Sequence, residues 1–95
     1  MEEKSQLPEQ EQRNIVWLNY QMLRNAASEV LRERFDNGVI DYQLYCTLNR
    51  TNFICAMKTA LDFKLKVGDR AMTEEELYQH ANELVDERIQ RFSSI

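Results

Sequence analysis

One proline, two glycines, two cysteines and one histidine leave this 95-residue chain short of the residues that punctuate loops, staple small folds or carry chemistry. With so few breakers, the chain is expected to be built from long regular segments. Two Cys and one His fall short of a closed zinc set, and a single imidazole gives no nucleophile both a base and an orienting partner. The phosphate-cradling GxxxxGK loop, GxGxxG and HExxH are all missing, so no catalysis, cofactor or metal is expected. No run approaches the roughly 18 apolar residues of a membrane span, and no apolar stretch follows Met1-Glu2-Glu3-Lys4 as a secretion signal would require. Cys46 and Cys55 lie nine residues apart; on one helix they would face opposite sides, about 13 Å apart along the axis, too far to bridge. Reduced thiols fit a cytoplasmic chain.

What is present is ordinary globular material, 43% apolar and 29% charged, in a length that supports one core. The net charge of −4 argues against a protein whose main task is neutralising phosphates. The average conceals an asymmetry: residues 1–12 sum to −3, 13–36 to +1, 37–70 to +2 and 71–95 to −4. Residues 1–8 read as a flexible acidic lead-in, and residues 9–95 as a single domain.

From Glu9 to Phe35 there is no Gly or Pro, and Val16, Tyr20, Leu23, Ala27, Val30 and Leu31 recur at helical spacing, ending at Asp36-Asn37-Gly38. Asp41 can cap a second helical stretch reaching Lys66. Its apolar face drifts: Leu44, Leu48 and Cys55 gather on one side, and Ile54, Met57, Leu61 and Leu65 on another. Either the polar run Asn49-Arg50-Thr51-Asn52 bends or breaks it, or it is a central helix covered from several directions. The aromatics Tyr42, Tyr45, Phe53 and Phe63 around it favour central burial, whereas the polar run favours a break; the expectation is one helix, with a kink allowed at that run. Thr73-Glu74-Glu75-Glu76 is a capping box opening a third helix, whose stripe runs from Leu77 to Phe92. No segment alternates with period two. The expected fold is all-α: a three-helix bundle built on a long antiparallel helical hairpin, Glu9–Phe35 against Asp41–Lys66, with a C-terminal amphipathic helix across it. The run Val30–Arg50 has the outline of a helix-turn-helix, but Arg34 stands where the helices need a small residue, and Asp41-Tyr42-Gln43 brings no cation to phosphate.

The first helix carries a second apolar arc, Ile15, Leu18, Met22 and Ala26, with Trp17 off both arcs. Either neighbouring helices flank it on two sides, or part of it meets another chain. Arg34 and Arg88 project near apolar stripes at helix C-termini, where an acid or carbonyl of this chain, or a docking partner, can satisfy them. His80 with Glu76, Glu83 and Glu87 has spacing that a divalent ion could use, though such a flank is ordinarily a solvated face. The expected role is a non-catalytic interaction protein (adaptor, inhibitor or accessory subunit) presenting a helical face to a protein partner or, as a homodimer, to itself. Ile15, Trp17, Leu18, Met22, Arg34 and Arg88 are its contact residues. The alternative is a DNA- or RNA-binding regulator using Arg50, Lys58, Lys64 and Lys66, which do not form one stripe.

Overall fold

A computed structural model describes residues 7–93, and they form four α-helices: α1 Glu9–Asp36, α2 Tyr42–Arg50, α3 Asn52–Lys66 and α4 Glu74–Ser93. Among the described residues there is no strand, as the all-α expectation requires. The lead-in expected over residues 1–8 lies outside the described residues except for Leu7 and Pro8.

Local chemistry sets the helix ends. The amides of Asn37, Gly38 and Val39 fold back onto the carbonyls of Glu33, Phe35 and Arg34. Gly38 takes φ +78°, a left-handed conformation that a side chain would oppose. Asp41 caps α2 by accepting from the Leu44 amide at 2.8 Å. The capping box of α4 is reciprocal: the Glu76 amide donates to Thr73 Oγ1 at 3.1 Å, and the Thr73 amide donates to Glu76 Oε1 at 2.9 Å.

The second helical stretch is not continuous. It breaks at Thr51, within the polar run, and the break is held by side chains from both neighbouring helices. Arg88 of α4 donates to the Leu48 carbonyl at 3.0 Å and to the Thr51 hydroxyl. Asn52, buried at the start of α3, donates to the Arg24 carbonyl and the Ser28 hydroxyl of α1. A helix end exposes carbonyls without intrahelical partners, and the Arg88 guanidinium supplies one of them with a donor.

Of the two explanations for the drifting face the break holds and central burial does not: Tyr42 and Phe53 are exposed, and only Phe63 of the four aromatics is buried. The central element is α1, which packs along its length against the other three helices. Its first half places Tyr20 and Leu23 against Ala56, Ala60 and Phe63 of α3, with Met72 closing the end. Its second half places Ala26, Ala27, Val30 and Leu31 among Ile40, Leu48, Ala81, Leu84 and Val85. Tyr78 reaches Glu29, and Arg34 reaches Asn82 and Asp86, so α4 runs in the same direction as α1.

Candidate functional site

α3 meets α1 through its smallest residues. Ala56 and Ala60 are fully buried, which brings the two backbones close, and Asn52 and Phe63 complete that face. The larger side chains are thereby turned outward. Ile54 remains 55% exposed, Leu61 46%, Leu65 78% and Phe53 47%. Across from them on α1 stands Trp17, 53% exposed, with its ring 5.1 Å from that of Tyr20. Together with Met57 these residues line an open groove of about 640 Å³ between α1 and α3, with Lys58 and Asp62 as its charged side chains. A second groove, containing Val16, Trp17, Met57 and Leu61, continues toward Glu9 and Arg13.

The contact residues expected on α1 are divided by the fold. Trp17 lines the groove; Ile15, Leu18 and Met22 do not. Ile15 and Met22 are half-buried, Leu18 is exposed, and only Ala26 of that arc enters the core. Sequence reasoning missed Ile54, Leu61 and Leu65 because it took them for a packing face. The signal was present as Ala56 and Ala60, four residues apart on the opposite side.

Arg34 and Arg88 are both engaged within the chain. Arg34 donates to Asp86 at 3.1 and 3.3 Å and to Asn82 at 2.9 Å, tying α1 to α4. The hydrogen bond to Asp86 raises the Arg34 pKa above its ordinary value. Arg88 holds the α2–α3 break, as described above.

The four cations of the nucleic-acid alternative do not assemble into a free basic patch. Lys58 pairs with Asp62 at 3.3 Å and Lys64 with Asp69 at 3.2 Å, which leaves Arg50 at the end of α2 and Lys66 at the far end of α3.

A polar cleft between α3 and α4, about 310 Å³, contains Cys55, Asp62, His80, Glu83, Glu87 and Arg88. The His80 ring stands edge-on to Phe63 at 6.1 Å. Glu76 is drawn away from His80: its carboxylate is held by the Arg70 guanidinium at 2.8 and 2.9 Å and by the Thr73 amide, which lower its pKa to about 2. Among the described residues no group of three His, Cys, Asp or Glu side chains could hold a metal ion, and no helix is long and apolar enough to cross a membrane. Both cysteines are free and half-buried, on different helices. Compared with protein-family models, curated proteins and solved structures, the chain matches none.

Proposed function

We propose that this chain is a non-catalytic interaction module, an adaptor, inhibitor or accessory subunit that presents a preformed helical face to another polypeptide. In this reading α2 and α3 are the two pieces of one hairpin arm that returns along α1, and α4 packs across the pair as the third layer of a bundle. The observation that carries the reading is the outward ridge of α3. That helix already buries one face against α1, yet Ile54, Leu61 and Leu65 stand in water on the other, opposite Trp17. A helix apolar on both faces is a buried helix, so this one is one partner short. The exposed parts of Trp17, Phe53, Ile54, Leu61 and Leu65 amount to roughly 550 Å², taking about 200 Å² per large side chain, near the upper end for the largest patch on a monomer.

The test is capture with tagged protein from lysate, with and without nuclease, comparing wild type with the double variant Leu61→Lys and Leu65→Lys. The expected result is a polypeptide, an untagged copy of this chain included, that wild type retains in both conditions and the variant loses. Retention by the double variant would sink the reading. Material recovered only without nuclease would transfer the function to the DNA- or RNA-binding alternative.

A further inference from the structure

We propose that the partner for the α1/α3 face is a second copy of this chain, with the two α3 helices packed antiparallel across a twofold axis. This rests on the reading of that face as an interface and names its occupant. Three features favour a second copy.

The first is shape. A twofold interface has to be self-complementary, because the same surface serves on both sides. Here Ile54, Leu61 and Leu65 stand out from α3 as one wall of the groove whose opposite wall is Trp17, so the same surface offers a projecting wall and the recess beside it, the two shapes that helix packing interlocks.

The second is register. An axis crossing α3 near position 60 places Ile54 of one copy over Leu65 of the other. It also brings Lys58 opposite Asp62 of the second copy, and Asp62 opposite its Lys58. These two side chains are already 3.3 Å apart within one chain, so each can exchange an exposed intrachain pair for a reciprocal pair across the interface. The surface carries both signs in equal number and does not repel its own copy.

The third is area. The apolar patch estimated above, with its polar rim, approaches the roughly 800 Å² per partner of a standard interface. Head-to-tail growth finds no equivalent on α4, whose exposed residues are mostly charged or polar, with Phe92 its one exposed large apolar side chain among the described residues.

Sedimentation velocity across about 1–100 µM tests this, a range that spans weak to moderate self-association. The expected species has twice the 11.4 kDa chain mass and grows with concentration. Leu61→Lys should weaken association by about 30-fold or more, as a charge placed at the centre of an interface does. Lys58→Asp should also weaken it, and adding Asp62→Lys in the same chain should restore it, a rescue that a foreign partner would not reproduce. Both leucine and lysine positions are solvent-facing, so the variants should keep the wild-type helical circular dichroism; Ile54→Lys serves as a second disrupting variant. An 11.4 kDa species at every concentration, a dimer indifferent to Leu61→Lys and Ile54→Lys, or failure of the charge swap to rescue would each overturn the proposal. If wild type is monomeric yet Leu61→Lys abolishes capture of another polypeptide, the second-copy inference fails and the interaction reading stands. If capture is also unaffected, both fail.

Discussion

Asn19 should be the most sensitive polar residue in the protein. It sits on α1, 2% exposed, and makes two hydrogen bonds to the segment joining α3 to α4: Nδ2 donates to the Arg70 carbonyl at 3.0 Å, and Oδ1 accepts from the Met72 amide at 2.9 Å. Both partners are backbone, so neither can turn away to find another contact. Asn19→Ala removes two bonds worth about 1 kcal/mol each and leaves the buried Met72 amide unpaired, for a total loss of about 2–4 kcal/mol. With a urea slope of about 2 kcal/mol per molar, the middle of the usual range, the unfolding midpoint should fall by roughly 1–2 M. The control is Asn14→Ala on the same helix, where the side chain is exposed and accepts from Gln10, and the change should stay within about 0.5 kcal/mol. Asn19→Asp separates hydrogen bonding from packing. It keeps the acceptor for Met72 but turns a carboxylate oxygen toward the Arg70 carbonyl, which raises the pKa of the new acid above about 3.9. Its folded form is then favoured when protonated, so stability is recovered below that unfolded value and lost as pH rises through the folded one. Urea titrations followed by circular dichroism at several pH values read all three variants. If Asn19→Ala matches Asn14→Ala, the α3–α4 connection is not pinned to α1 and the account of that end of the core is wrong.

Two further perturbations probe the other long-range ties. Arg88→Met keeps the apolar stem but deletes the donor to the Leu48 carbonyl and the Thr51 hydroxyl; it should cost about 1–2 kcal/mol in urea unfolding, and no loss would mean the α2–α3 break needs no support from α4. Glu76, held near 2 by Arg70 and the Thr73 amide, stabilises the start of α4 above its ordinary value of 4.5 and loses that contribution as pH falls toward 2. The difference in thermal midpoint between wild type and Glu76→Gln should therefore close on acidification through that window, whereas a constant difference would refute the cap.

The parts of this fold legible along the chain are those decided within one helical turn. Gly38, the Asp41 cap and the Thr73–Glu76 box act between residues at most three or four apart, and each ends or begins a helix where its chemistry indicates. Periodicity also located the core-facing residues of α4 from Ala81 to Val85 and most of the main stripe of α1. It misled in α3, because a pattern of large apolar residues assumes that the largest side chains do the packing. There, Ala56 and Ala60 permit the closest approach to α1, and Ile54, Leu61 and Leu65 are left outside. The contact residues on α1 divided for a related reason: position along one helix says nothing about which neighbour will lie beside it, so Trp17 joins α3 while Leu18 does not.

The sequence by itself determined an all-α chain, the positions of its helix caps and the absence of the familiar catalytic motifs, since these depend on local backbone chemistry and residue supply. Only the tertiary structure decided that the second stretch divides at Thr51, that Arg34 and Arg88 are spent within the chain, and that α3 turns its larger side chains to water. Each of those outcomes is set by partners some 25 to 50 residues away, such as Asn52 with Arg24, Arg88 with Leu48 and Arg34 with Asp86. Such contacts come from packing one helix against another, and helical spacing carries no record of them.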